Sequence, residues 1–489
     1  MFLGIDLGTS GIKLALLNLQ HELIATADAS LEVQRPQALW SEQQPHDWWQ
    51  ALERAVEQLR VSHAAQWQEV QAIGLSGQMH GAVTLDNQQK VLRPAILWND
   101  GRSSAQCLEL EAKEPRSRFI TGNIAMPGFT APKLLWMQQN EPELFEKITT
   151  VLLPKDWLRF ELSGELVSEM SDAAGTLFLD VEQRQWSEAM LKACGLGLDQ
   201  MPSLVEGSQI SGYLKPELAQ RWGLLNSNIP IAGGAGDNAA TAVGIGATRA
   251  NQGFVSLGTS GVVFLASANY QSAPEQAVHA FAHALPQRWH QMSVMLSAAS
   301  AFAWFKQLVG GQKEAVLSAS VAQLSTLQKQ NAPLFLPYLS GERTPHNNAN
   351  ASGMFFGLRH EHQTADMAYA VMEGVCFGLK EGLMAMNPNA TGIDELSLVG
   401  GGAQSDEWAQ LLSDVLQIKL VKPAGAHCAA AIGAARLAWL CTGADEADVC
   451  LPLNTEKEYF SQLDATYQAQ IEQRFTRFKA LYQAVKDLS

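Results

Sequence analysis

The stretch from Gly4 to Lys13, Gly-Ile-Asp-Leu-Gly-Thr-Ser-Gly-Ile-Lys, decides the fold, because a second copy of its centre follows from Ser256 to Val263 as Ser-Leu-Gly-Thr-Ser-Gly-Val-Val. In both copies, apolar residues flank the string Leu-Gly-Thr-Ser-Gly, which predicts a β-hairpin with a tight turn. Such a turn presents backbone N–H groups and hydroxyls at one point, where they can bind phosphate. For a single copy, an ordinary hairpin loop is the favoured interpretation. Two copies at matching places favour phosphate binding and a duplicated architecture.

The residues after the first hairpin predict how each half continues. Residues 22–33 predict a third strand, and three consecutive antiparallel strands with a phosphate turn between the first two are typical of the start of a ribonuclease-H-like domain. A short polar stretch, residues 247–252, precedes the second hairpin. We therefore expect an α/β protein with one domain over residues 1–246 and another over residues 247–489.

Composition limits the classes of partner. The chain has 489 residues with a net charge of −15, which argues against nucleic acid and against an anionic membrane surface. No run of about 18 apolar residues predicts a membrane span. The six cysteines are scattered without a Cys-x-x-Cys pair, and the first residues lack the core of a signal peptide. These features predict reduced thiols and a cytoplasmic protein.

Hydrophobic patterns assign the remaining segments. We expect Asp47 to cap a helix, residues 70–75 and 94–98 to form strands that end in polar loops, and residues 292–308 to form a helix. Further helices are predicted over residues 364–386, 406–416, 424–440 and 465–488, with a strand over residues 396–399. Because ligands bind beyond the carboxyl ends of strands in α/β sheets, the polar loop 76–81 is a candidate site.

Two aspartates stand at glycine-rich turns and suit phosphoryl transfer. That reaction needs a divalent cation on the phosphates and a base beside the attacking hydroxyl, and a carboxylate serves either role. Asp6 precedes the first phosphate turn, which suits a metal ion or its waters, and Asp237 follows Gly-Gly-Ala-Gly, which suits the acceptor. The alternative for Asp237 is a structural helix cap. The sequence has neither a P-loop nor a Gly-x-Gly-x-x-Gly fingerprint.

In nearly its whole length the chain resembles the FGGY family of carbohydrate kinases. The matching stretches occur in family order at residues 6–11, 39–42, 77–81, 95–102, 126–136, 236–240, 257–261, 339–346 and 400–408. Residues 126–136 and 400–408 resemble the two family signatures. The triplet Met79-His80-Gly81 resembles the branch of the family that acts on D-xylulose. Ala235 departs from the glycine that relatives usually carry there.

The resemblance implies roles for individual residues. Asp237 is the general base on the 5-hydroxyl of the sugar, and Asp6 holds Mg²⁺. The residues implied to contact D-xylulose are Met79, His80 and Asn238. Those implied to line the ATP site are Gly8, Thr9, Gly258, Thr259, Gly401, Gly402 and Ser405. The family fold is two ribonuclease-H-like domains of the actin and Hsp70 type with the catalytic cleft between them, and a homodimer is a family expectation.

Two alternatives remain open from the sequence. One is another substrate of the same family, such as ribulose, gluconate or a polyol. The other is a non-catalytic ATP-binding protein of the actin or chaperone type, which would share the phosphate hairpins but would have no need of the Met79-His80-Gly81 loop or of the stretch around Asp237.

Overall fold

The computed structural model describes residues 1–461 and 463–488 of the chain. The strands of the first half are β1 (Phe2–Leu7), β2 (Gly11–Leu17), β3 (Leu23–Ser30), β4 (Glu42–Gln43), β5 (Ala72–Gly77), β6 (Val83–Leu85), β7 (Ala95–Ile96), β8 (Thr150–Leu152), β9 (Val167–Glu169), β10 (Leu179–Asp180), β11 (Gln185–Trp186), β12 (Ser203–Val205), β13 (Ile210–Tyr213), β14 (Pro230–Ala232) and β15 (Ala235–Gly236). The strands of the second half are β16 (Gly253–Leu257), β17 (Gly261–Ser267), β18 (His279–Ala282), β19 (Trp289–Met295), β20 (Leu334–Leu336), β21 (Met354–Phe356), β22 (Glu395–Val399), β23 (Lys419–Pro423) and β24 (Thr455–Tyr459).

The α-helices alternate with these strands along the chain. Those of the first half are α1 (Pro45–Ser62), α2 (Ala64–Gln68), α3 (Ser104–Lys113), α4 (Ser117–Thr121), α5 (Thr130–Asn140), α6 (Pro142–Phe145), α7 (Pro154–Ser163), α8 (Met170–Ala173), α9 (Glu188–Ala193), α10 (Pro216–Trp222) and α11 (Asp237–Ile245). Those of the second half are α12 (Ala299–Leu308), α13 (Glu314–Ala322), α14 (Thr326–Asn331), α15 (Thr364–Met386), α16 (Asp406–Leu416), α17 (Ala429–Cys441), α18 (Glu446–Val449) and α19 (Ala465–Val485).

The two halves share one strand order, which confirms the α/β fold of two ribonuclease-H-like units. In the described residues each half has a seven-stranded sheet. The first sheet places β3, β2 and β1 side by side as an antiparallel meander, followed by β5 and β14 parallel to β1. The second sheet repeats the order with β19, β17 and β16, followed by β22 and β23. Both predicted hairpins are therefore present, at the same place in the two sheets.

Helix α17 lies between the halves and packs against the first sheet, although it is encoded close to the end of the second half. Glycines allow the close approach: a Cβ atom on Gly4 of β1 would lie 1.8 Å from the carbonyl oxygen of Ala431, and one on Gly74 of β5 would lie 1.9 Å from that of Ala434. Helix α11 crosses α17 in the same way, because a Cβ atom on Gly433 would lie 1.8 Å from the carbonyl oxygen of Ala240. The division at residues 246 and 247 stays a prediction.

Several segment predictions were wrong at their boundaries or in kind. Helix α1 begins at Pro45 rather than after Asp47, because proline fits the first turn of a helix. Residues 94–98 supply only the two-residue strand β7, which pairs with β4 outside the main sheet. The predicted helix over residues 292–308 is strand β19 followed by α12, and the strand is paired on both sides, by β17 and β18. The predicted helices over residues 364–386 and 406–416 are confirmed.

Within the described residues, none of the helices has the length and apolar character that crossing a membrane requires. The six cysteines all carry free thiols.

Candidate active site

The two candidate acids lie at the carboxyl ends of adjacent strands. Ser76 of β5 is in register with Asp6 of β1 on one side and with Ala235 of β15 on the other. Asp237 follows β15 directly and begins helix α11. The sheet register therefore brings Asp6 and Asp237 to the same edge, where ligands bind in α/β sheets.

The carboxyl of Asp237 is only partly shielded from solvent and has a perturbed acidity. Burial, and next the charge of Asp6, raise the pKa of Asp237 to about 7, while hydrogen bonds from Asn238 act against that shift. Its Oδ1 accepts hydrogen bonds from the backbone N–H of Asn238 at 2.7 Å and from the side-chain amide of Asn238 at 2.9 Å. Gly236, and not Asp237, is the N-cap residue of helix α11, so the carboxyl of Asp237 does not act as an ordinary N-cap. A carboxyl that gains a proton near pH 7 suits a general base.

Asp6 has surroundings that fit a hydrated Mg²⁺ ion. Its Oδ1 accepts a hydrogen bond of 2.9 Å from the hydroxyl of Ser76, and burial raises its pKa. Within the described residues no group of three or more His, Cys, Asp or Glu side chains forms a cage for a metal. Mg²⁺ usually takes one or two carboxylates and completes its shell with water and substrate phosphates. Asp6, with Asp237 nearby, provides a donor set of that kind.

Buried polar side chains form hydrogen bonds with the backbone of the loop that precedes Asp237. The N–H of Gly236 donates a hydrogen bond of 3.1 Å to Ser171 Oγ, and the guanidinium of Arg159 donates to the carbonyl oxygen of Gly233. Ser171 in turn donates to Glu169, whose carboxylate lies 3.2 Å from the ammonium of Lys155. All four of these supporting side chains are fully buried.

Met79 and His80 lie beside this loop. A Cβ atom on Gly236 would lie 2.9 Å from the sulfur of Met79, so the methionine packs directly against the residue before Asp237. His80 adopts φ 69°, an uncommon conformation for a residue with a side chain. Its carbonyl oxygen accepts hydrogen bonds from Lys133 Nζ at 2.8 Å and Thr130 Oγ1 at 3.0 Å, which hold the strained turn in place.

The ring of His80 has a defined protonation state. Its Nδ1 lies 2.6 Å from the carbonyl oxygen of Gly175, which can only accept, so Nδ1 carries the proton. Burial lowers the pKa of His80 to about 3, which keeps the ring neutral. Its Nε2 is therefore a hydrogen-bond acceptor, suited to a hydroxyl group of a substrate.

In the first hairpin, some of the groups predicted to bind phosphate form hydrogen bonds within the protein instead. The N–H of Gly8 closes the turn onto the carbonyl oxygen of Gly11 at 2.9 Å. The hydroxyl of Thr9 donates to Gln78 and accepts from the indole N–H of Trp98. Phosphate binding at this turn would therefore rely on other backbone N–H groups rather than on the Thr9 hydroxyl or the Gly8 amide.

The second hairpin lies beside the other predicted glycine turn. Strands β16 and β22 are parallel, with Ser256 in register with Val399, so the turns that follow them are neighbours. Gly400 has φ 93°, and a Cβ atom there would lie 2.7 Å from the backbone of Leu257, so only glycine fits. The carbonyl oxygens of Gly258 and Thr259 accept hydrogen bonds from the amides of Ala299 and Ala298, which begin helix α12.

The remaining predicted nucleotide residues lie immediately before helix α16. Gly401 and Gly402 belong to a short 3-10 helix, Gly401–Gln404, and Gly401 is exposed. The hydroxyl of Ser405 caps α16 by accepting from the N–H of Trp408 at 3.3 Å. A glycine-rich turn that leads into a helix N-terminus is a common seat for phosphate groups.

Three side chains of the second half reach the surroundings of His80, and the sequence did not single them out. Phe281 has its ring centre 6.0 Å from that of His80 and stacks on His279. The ring nitrogen Nε2 of His279 lies 3.3 Å from a guanidinium nitrogen of Arg343. These contacts join strand β18 and the loop at residue 343 to a loop of the first half. No motif around residues 279–281 signals them; only the stretch 339–346 matched the family.

Comparisons with known proteins identify the family of the chain. The model of the N-terminal domain of the FGGY family of carbohydrate kinases matches residues 1–244, and that of the C-terminal domain matches residues 253–441. Xylulose kinase of Escherichia coli (strain K12) is 50% identical over 488 residues, which is 100% of both chains. Xylulose kinase of Klebsiella pneumoniae is 50% identical over 92% of this chain and 91% of its own. The crystal structure of a "xyloylose kinase" from Brucella ovis superposes with a TM-score of 0.96 at 46% identity and covers 100% of both chains.

Proposed function

The chain belongs to the FGGY family of carbohydrate kinases, and from that premise we propose that it transfers the γ-phosphoryl group of ATP to the 5-hydroxyl of D-xylulose. The products are D-xylulose 5-phosphate and ADP. The observation that carries the proposal is the carboxyl of Asp237, whose pKa is raised to about 7 beside the Met79-His80 loop. The two relatives that are 50% identical, over 100% and 92% of this chain, are xylulose kinases, which favours D-xylulose over ribulose, gluconate or a polyol.

Asp237 accepts the proton of the 5-hydroxyl as the oxygen attacks phosphorus. The bond from that oxygen to the γ-phosphorus forms while the bond to the bridging oxygen of ADP breaks, and ADP leaves with the electron pair. Most of the catalysis of such a transfer comes from position and charge. Asn238 fixes Oδ1 of Asp237 through two hydrogen bonds, and Ser171 and Arg159 fix the backbone before it.

Substrate and nucleotide are assigned to different parts of the cleft. Met79, His80 and Asn238 are assigned to the sugar, with His80 Nε2 accepting from a hydroxyl. The ATP phosphates are assigned to the two glycine hairpins that contain Gly8, Thr9, Gly258 and Thr259, where backbone N–H groups that the turn does not already use would bind them. The adenosine side is assigned to Gly401, Gly402 and Ser405. Mg²⁺, held by Asp6 and water, would offset the negative charge of the phosphates.

A panel assay tests the proposed function. ADP release should be measured with D-xylulose, D-ribulose, gluconate and xylitol as acceptors, and we expect kcat/KM to be highest for D-xylulose. Omission of Mg²⁺ should abolish turnover. Turnover that another acceptor supports better would reassign the substrate, and ADP release that no acceptor increases would favour an ATP-binding protein of the actin or chaperone type, which does not phosphorylate sugars. We also propose that the protein is a homodimer, which light scattering tests. We further propose a cytoplasmic location, which agrees with the six free thiols.

A further inference from the structure

Arg343 carries a guanidinium group that no ion pair neutralises among the described residues. It lies in the loop after β20, is half-buried, and has its pKa lowered by burial. The neighbouring Glu342 forms no ion pair with this guanidinium, and burial raises the pKa of the Glu342 carboxyl to about 8, which weakens its counter-charge at neutral pH. A desolvated cation without a partner is costly, which indicates that its N–H groups serve a ligand.

A chain of hydrogen bonds fixes where the guanidinium points. The side-chain amide of Asn123 donates to the carbonyl oxygens of Thr121 and Ala280, which identifies its Oδ1 as an acceptor. His279 Nδ1, 3.1 Å from that oxygen, therefore carries the proton, and His279 Nε2 accepts from Arg343 at 3.3 Å. Burial lowers the pKa of His279 well below its usual value, so the ring stays neutral and can accept.

The same residues surround the ring of His80. Phe129 lies edge-on to both His80 and His279, with ring centres 4.8 Å and 5.5 Å away. The positive charge of Arg343 also contributes to the low pKa of His80. His80 Nε2, a neutral acceptor of the first half, is therefore near the guanidinium of Arg343, a charged donor of the second half. The same aromatic rings lie beside both groups.

We propose that Arg343 is a specificity-determining residue that donates a hydrogen bond from the second half to the ketone oxygen of the sugar, while His80 Nε2 accepts from a hydroxyl beside it. This inference rests on the proposed function. A 2-ketopentose forms its five-membered ring through the 5-oxygen, so a sugar whose 5-hydroxyl reacts must be bound in the open form with a free C2 carbonyl. A carbonyl oxygen only accepts hydrogen bonds, and a guanidinium only donates. A pentitol, which has a hydroxyl in place of the carbonyl, gains less from that donor.

The test compares a ketone acceptor with its alcohol counterpart. D-xylulose, and the pentitols xylitol and D-arabinitol as substrates or competitive inhibitors, are measured with the full-length protein and with Arg343→Met. We expect kcat/KM for D-xylulose to fall about 10- to 100-fold, the effect of one charge-assisted hydrogen bond. The pentitol constants, KM for ATP, and the rate of ATP hydrolysis without sugar should change less than about threefold, a shift too small to represent loss of such a bond. Arg343→Lys keeps the positive charge but lacks the planar guanidinium, so its kcat/KM for D-xylulose should lie between that of the wild type and that of Arg343→Met.

Each outcome decides a separate point. Arg359, in the same half, has a side chain 63% exposed, and Arg359→Met is the matched control that should leave every constant unchanged. Equal losses for ketone and alcohol, or an unchanged D-xylulose constant, would overturn the assignment while the proposed function stands. If circular dichroism shows that Arg343→Met does not fold, Arg343→Lys tests the proposal instead. The quantity compared is again the loss for D-xylulose relative to the loss for the pentitols. Absence of D-xylulose turnover in the wild type would remove the proposed function and this inference together.

Discussion

The backbone N–H of Gly236 donates a hydrogen bond of 3.1 Å to the hydroxyl of Ser171, 65 residues earlier in the chain. Through this bond a buried cluster of charges holds the residue that immediately precedes the proposed base. Ser171→Ala leaves that N–H without its partner. We expect kcat to fall about tenfold because the position of Asp237 is less well defined, and stability to fall by about 1–3 kcal/mol.

The chain offers a control within the same cluster. Ser168 is equally buried, but its hydroxyl donates to Asp156 at 2.7 Å rather than to the loop. Ser168→Ala should lower the unfolding midpoint to a similar extent while leaving kcat unchanged. A parallel loss of kcat in both variants would indicate that stability of the cluster, and not placement of Gly236, controls turnover.

Asp237→Asn should preserve the fold and remove the base. General base catalysis contributes about 100- to 10,000-fold, so kcat should fall within that range while the dissociation constant for ATP stays near the wild-type value. Asp394→Asn changes an exposed carboxylate of the second half and should have no effect. Turnover near the wild-type rate in Asp237→Asn would exclude this residue as the base.

The pH dependence of kcat/KM for D-xylulose should follow the ionisation of Asp237. Burial and the charge of Asp6 raise its pKa to about 7, and only the deprotonated carboxylate accepts a proton. Activity should therefore fall about tenfold for each pH unit below 7 and level off above about 8. Circular dichroism at each pH distinguishes this loss from unfolding. A profile that is flat between pH 6 and pH 8 would contradict the assignment.

Gly433→Ala should destabilise the contact between α11 and α17. The added methyl group would lie 1.8 Å from the carbonyl oxygen of Ala240, and backbone cannot move aside as a flexible side chain can. We expect a loss of about 1–3 kcal/mol or more, seen as a lower midpoint in urea. Gly101→Ala is the control, because its nearest neighbour there would lie 3.4 Å away. An unchanged midpoint for Gly433→Ala would mean that the two helices separate easily.

Much of the fold followed from local patterns. The two hairpins and helix α15 were predicted because strand alternation, turn glycines and a long helical pattern are properties of neighbouring residues. Strand β19 was taken for part of a helix because it lies between two partner strands and is largely buried on both faces, so that it lacks a simple alternation of apolar and polar residues. Periodicity alone does not separate such a strand from a buried helix.

The residues of the candidate site that belong to a sequence motif were predictable. The contacts between the two halves were not. Asp6 and Asp237 follow strands, so sheet topology alone brings them to one edge. His279 and Phe281 reach His80 from almost 200 residues away along the chain, and a contact across two halves leaves no local pattern. The use of the Thr9 hydroxyl by Gln78 and Trp98 was likewise invisible in the sequence.

Helix α17 covers β1 and β5, yet it begins only at residue 429 of the 489 in the chain. As the ribosome makes the chain, the sheet that emerges first must wait, with one face open to water, until nearly nine-tenths of the polypeptide has left the exit tunnel. Early release, or a frameshift before the end of α17, therefore disrupts both halves of the molecule, and a fragment that stops at residue 246 should aggregate rather than persist as an independent sugar-binding unit.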